Sequence, residues 1–159
     1  MKISQGTHMT HGTRLFSPRA RAAGTVLAAV LPSLVATAAQ AGELTIEVSG
    51  ITANRGKVYI AVYDRPETFP ISGHQRVGQV LASEDQHLTV HFKDLPPGQY
   101  AAAAFQDFNG NGRLDKNFLR IPKEPYGFSN SARGSSGPPK FAEAAMTLNP
   151  DGATTIVLK

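Results

Sequence analysis

A chain of 159 residues with 41% hydrophobic content is long enough for a packed domain, but without cysteine it has no disulfide to hold it. Its formal charge of +4 would suit a polyanion, yet the excess is confined to one end. Lys2, Arg14, Arg19 and Arg21 precede the first acidic residue, and residues 42–159 balance twelve basic side chains with twelve acidic ones, which argues against nucleic-acid binding.

The basic end has the three regions of a secretory signal. A cationic segment closes at Arg21, Ala22 to Ala36 is mostly apolar, and Ala39-Gln40-Ala41 is a small-x-small site. The expectation is a cleaved signal peptide over residues 1–41 and a single domain over 42–159, exported to the periplasm or the extracellular space. Pro32 interrupts an apolar run already short of the roughly 20 residues that a membrane span needs, so no stable membrane insertion is expected after cleavage.

Strand signals begin at once. Leu44, Ile46 and Val48 alternate with Thr45, Glu47 and Ser49; Val58, Ile60 and Val62 then define a second apolar face. Residues 64–78 carry Pro66, Pro70 and Gly73 and read as a long connection anchored by Phe69 and Ile71. Val80 and Leu81 suit a short strand. Leu88, Val90 and Phe92 alternate with His87, Thr89, His91 and Lys93. On a strand His87 and His91 stand about 13 Å apart, too far to chelate one ion, so they read as solvated.

Pro96-Pro97-Gly98 makes a turn. The run Tyr100 to Phe105 contains four alanines, which favour helix by propensity, but so little chain separates the turns on either side that a strand is expected. Phe118, Leu119 and Ile121 lead to Pro122 and an irregular segment reaching Pro139. That segment is long enough to fold back over the preceding loop, and its Tyr126 and Phe128 are expected to be packed. Ala142, Ala144, Met146 and Leu148 define another strand face, Asn149 to Gly152 a turn, and Thr154, Ile156 and Leu158 the last strand. The fold class is therefore all-β, a two-sheet antiparallel sandwich of about six or seven strands.

Residues 107–115, Asp-Phe-Asn-Gly-Asn-Gly-Arg-Leu-Asp, carry the most recognisable chemistry. Oxygen-bearing side chains stand at relative positions 1, 3, 5 and 9, and a glycine at 6, the spacing of a calcium loop. Asp107, Asn109, Asn111 and Asp115 would supply side-chain oxygens and Arg113 its backbone carbonyl. Phe118 stands where an EF-hand has its bidentate Glu, so an ordinary EF-hand is excluded. Glu124, set between Pro122 and Pro125, is the candidate acid to close the site. The competing reading is a rigid metal-free turn, because Asn-Gly dipeptides turn through their own backbone hydrogen bonds.

Three phrases occur in order: Phe92 to Tyr100 (FKDLPPGQY), Gln106 to Asp115 (QDFNGNGRLD) and Ile121 to Asn130 (IPKEPYGFSN). With them, residues 43–158 resemble the bacterial domain-of-unknown-function family 2141, small exported proteins. The resemblance implies an exported sandwich similar to transthyretin-like or carboxypeptidase-regulatory-like domains, and it implies no activity; the strand pattern itself suits an immunoglobulin-like or transthyretin-like sandwich. Phe108 and Gln106 depart from the residues frequent in that family.

No serine sits in a nucleophile elbow, and no histidine is tied to a serine by spacing. The expectation is therefore a non-catalytic exported binding or interaction module, with Ca2+ as the candidate ion of the 107–115 loop. Phe108, Tyr126, Phe128 and Asn130 are the candidate surface for a glycan, peptide or envelope protein. The alternatives are a metal-free structural envelope domain and, behind it, a hydrolase with an unrecognised site.

Overall fold

A computed structural model of the chain describes residues 40–159; the signal-peptide reading falls almost wholly outside them. Eight strands form two sheets. The first contains β1 (Gly42–Ser49), β4 (His87–Leu95) and β8 (Gly152–Val157), in the order β4-β1-β8. The second contains β2 (Lys57–Tyr63), β3 (Val77–Ala82), β5 (Gly98–Asp107) and β6 (Tyr126–Phe128), in the order β3-β2-β5-β6. The short β7 (Met146–Leu148) also pairs with β5, opposite Gly98 to Tyr100.

The two-residue period does what physics asks of it. Leu44, Ile46 and Val48 face inward from β1, and Val58, Ile60 and Val62 from β2, each almost fully buried. They meet Val90 and Phe92 of β4 and Ile156 of β8 in one core. Tyr100, Ala102 and Ala104 complete it from β5, whose alanine run is extended as expected because every residue from Ala101 to Asp107 pairs with β2. Tyr100 also donates its hydroxyl to the Pro96 carbonyl, 2.8 Å away, pinning the turn before it. The opposite face of β5 is covered too. Ala101 and Ala103 lie under a smaller cluster of Tyr63, Phe69, Phe128 and Phe141.

Several local expectations are corrected. β1 and β8 run parallel, with Ile46 opposite Thr154, whereas the other named strand pairs are antiparallel. β3 is longer than the Val80-Leu81 nucleus. The Ile71 side chain is 51% exposed, and its carbonyl instead ties the connection down, accepting the Tyr63 hydroxyl; Phe69 packs, edge-on to Tyr63, Phe128 and Phe141. Phe141–Ala144 is a single helical turn rather than the start of a strand. Side chains take the place of a neighbouring strand there. Glu143 accepts the Lys140 N–H at 2.7 Å, and the Ala144 and Ala145 carbonyls are taken by Ser129 and Asn130.

Ser129 is wholly buried: its hydroxyl accepts the Ala102 N–H at 2.9 Å and donates to the Ala144 carbonyl at 2.6 Å. It fastens the helical turn to β5. Ser129→Ala is expected to cost about 2 kcal/mol, since the buried Ala102 N–H loses its acceptor and the Ala144 carbonyl keeps only the longer bond from Asn130. Urea unfolding checks this, as a lowered midpoint at unchanged slope.

Candidate functional site

β5 ends at Asp107, the last residue paired with β2, and the chain turns back on itself through Gly110 and Gly112, both at positive φ. Asp107 is inaccessible to solvent, and its carboxylate organises the turn. Oδ1 accepts the N–H groups of Asn109, Gly110 and Asn111 at 3.2, 2.7 and 3.3 Å, and Oδ2 accepts that of Gly112 at 2.7 Å. Burial pushes the Asp107 carboxyl pKa up, but the hydrogen bonds from Gly112, Gly110, Asn111 and Asn109 together outweigh it and hold the group below the ordinary carboxylate value.

The two asparagines repeat the pattern one step out. Asn109 Oδ1 accepts the Asn111 N–H at 3.1 Å, and Asn111 Oδ1 accepts the Arg113 N–H at 2.8 Å. Their amide nitrogens then point at Asp115, donating to Oδ2 and Oδ1 at 2.7 and 2.9 Å. Flipping either amide would set its NH2 against a backbone N–H, so the chain path itself fixes the orientation. The loop thus turns two amide donors toward its own half-buried carboxylate.

Glu124 closes the arrangement from the second loop. Nearly buried, it accepts the Phe108 N–H through Oε1 at 2.8 Å and the Asp115 N–H through Oε2 at 2.9 Å. The two loops expected to meet do meet here, reinforced by the Lys123 N–H to the Asp115 carbonyl and the Gln106 N–H to that of Pro125.

A third loop joins them. Gln106 ends the inward row of β5; its Nε2 donates to the Thr52 and Arg55 carbonyls, both at 2.7 Å, while Oε1 accepts the Thr52 N–H at 2.9 Å. Ser83 holds Arg55 from the other side. Gly56 has a φ of +68°, and a side chain there would collide with the Asp107 carbonyl, so glycine is required where these loops touch. The Arg55 guanidinium lies 3.8 Å from the Phe108 ring centroid.

The four aromatic and polar residues expected to form a binding surface are dispersed among different duties. Phe108 is half-buried beneath Arg55, and Phe128 belongs to the cluster over β5. Asn130 clamps Thr154, Ala144 and Ala145. Tyr126 is the exposed aromatic of the set, lining a recess of about 190 Å³ bordered by Arg133 and Lys159. His87 and His91 are exposed on β4, with His91 Nδ1 2.7 Å from Glu43.

One feature escaped the sequence reading. Phe118, Leu119 and Ile121 are 90, 62 and 55% exposed on a tip that projects between Asp115 and Glu124. A run of large apolar residues without strand alternation, set among Lys116, Arg120 and Lys123, was the available signal.

A family model described as "Uncharacterized protein conserved in bacteria (DUF2141)" matches residues 46–157. No curated protein and no solved structure matches the chain.

Proposed function

The chain belongs to the DUF2141 family of bacterial proteins, and from that premise we propose that it is an exported, non-catalytic interaction domain whose 107–124 loops form a metal-free brace. The observation that carries this reading is that six backbone N–H groups end on two buried carboxylates, Asp107 and Glu124. Those hydrogen bonds offset the charge that a cation would otherwise neutralise. Among the described residues, no three His, Cys, Asp or Glu side chains converge in a metal-binding group. The non-catalytic part has its support in Ser129, whose hydroxyl is sealed and saturated, and in the exposed, dispersed histidines. Export rests on the leader pattern of residues 1–41. No helix among the described residues is long and apolar enough to cross a membrane.

The second reading is a calcium loop. Asp107, Asn109, Asn111 and Asp115 retain its spacing, with the Arg113 carbonyl and Glu124 as further ligands. In that case the asparagine amides must turn from donating to Asp115 to offering oxygen.

Calcium titration by calorimetry on chelator-stripped protein, paired with thermal melts, separates the two. The brace predicts no binding heat up to millimolar calcium and an unchanged melting temperature. A calcium loop predicts stabilisation of about 2.7 kcal/mol at a free ion concentration 100 times Kd, and that result would replace the brace.

A further inference from the structure

The brace supports a stiff and exposed object. Between Lys116 and Pro122, joined by a β-bridge, Asn117 holds the tip from inside. Its N–H donates to the Ile121 carbonyl at 2.8 Å, its carbonyl accepts the Arg120 N–H at 2.9 Å, and its Oδ1 accepts the N–H groups of Leu119 and Ile121 at 2.9 and 3.0 Å. Arg120 sits at a φ of +62°, a backbone conformation that completes the reversal. The tip is therefore ordered before anything binds it, and docking it carries little conformational-entropy cost.

Its chemistry is two-sided. Phe118, Leu119 and Ile121 are the apolar members, and the exposed Arg113, Lys116, Arg120 and Lys123 surround them in sequence. The nearby acids do not cancel those cations at the surface: Asp115 is engaged by two asparagine amides, and Glu124 is buried on backbone N–H groups. Residues 113–123 hold four basic side chains and one acidic, whereas the rest of residues 42–159 hold eight basic and eleven acidic, so the positive charge is local to the tip.

The geometry points to a membrane-docking tip: Phe118, Leu119 and Ile121 enter the interfacial layer of an anionic phospholipid surface while the surrounding cations meet its headgroups. This deepens the interaction-domain reading above by naming the partner, and is distinct from a membrane span. A second copy of the chain is a poor occupant, because two tips would meet with like charge and the recess beside Tyr126 is itself bordered by Arg133 and Lys159. A protein groove would have to match both the apolar members and the cations, whereas an anionic bilayer offers both layers by its nature.

The chain contains no tryptophan, so Phe118→Trp in the full chain places a single reporter at the apex. Vesicles of phosphatidylglycerol with dibrominated acyl chains should shift its emission to the blue and quench it, and matched phosphatidylcholine vesicles should not. Adding Lys116→Gln and Arg120→Gln should weaken the partition on the order of tenfold or more, as should high salt. Leu119→Trp serves as a second reporter if the first variant is misfolded by circular dichroism. Absence of quenching in folded protein, equal quenching in both lipids, or a blue shift that appears without vesicles as protein concentration rises would each overturn the proposal. Running the titration with chelator and with calcium keeps the brace separate: quenching that requires calcium would overturn the metal-free reading while leaving the docking tip in place.

Discussion

Asp107→Ala should lower the melting temperature by about 10 °C, the larger of the two stability effects expected here. Four backbone N–H groups lose their acceptor at once, and each buried unpaired donor costs about 1–3 kcal/mol. The sum overstates the loss, since a loop at the end of the sandwich relaxes and admits water. A net cost of about 3 kcal/mol is therefore expected, with a domain of this size losing several degrees per kcal/mol. Asp107→Asn should cost less, because one oxygen is retained while the new NH2 opposes an N–H donor.

The same residue gives a pH signature. Its pKa is held below the ordinary value in the folded state, so the stabilisation is complete above the unfolded carboxylate pKa of about 3.9 and is lost as pH falls through the folded value. Thermal melts on the acid side of pH 4 should show the parent losing stability that Asp107→Asn has already lost at neutral pH. If the two curves stay parallel throughout, the carboxylate contributes nothing through its charge.

Glu124→Gln should cost about 2 kcal/mol and, more tellingly, should expose two particular amides. Glu124 is the clamp between loops, one oxygen on Phe108 N–H and the other on Asp115 N–H. An amide keeps the shape but can accept at only one end; at the other it sets donor against donor. Hydrogen exchange should therefore quicken at Phe108 or Asp115 well before the core of β1 and β2 responds. Asp115→Asn, altering a half-buried acceptor of side-chain amides, should cost less. Because Asp107 and Glu124 brace the same turn, the double variant should be less damaging than the two costs added. Unchanged exchange at both amides in folded Glu124→Gln protein would remove the clamp from the account.

Residues within a few positions of one another settled much of this molecule. Alternation placed Leu44, Ile46 and Val48 on one face, and the same holds for Val58, Ile60 and Val62, because the strand period is local geometry. The spacing of Asp107, Asn109, Asn111 and Asp115 with its glycines demanded a tight oxygen-lined turn for the same reason. The order of three phrases along residues 92–130 was enough to find the family. What those patterns could not carry was the choice of partner. Parallel pairing of β1 with β8 joins segments about a hundred residues apart, and periodicity names the buried face but not the neighbour across it. The oxygens of Asp107 and Glu124 suit a cation or an N–H group equally well by spacing alone; only the path of the chain brings six N–H groups to them. Phe118, Leu119 and Ile121 have the composition of a core, yet the bridge at Lys116 and the hydrogen bonds of Asn117 turn them away from both sheets. Hydrophobicity states what a side chain gains by leaving water, and tertiary packing decides whether the fold provides the place for it to go.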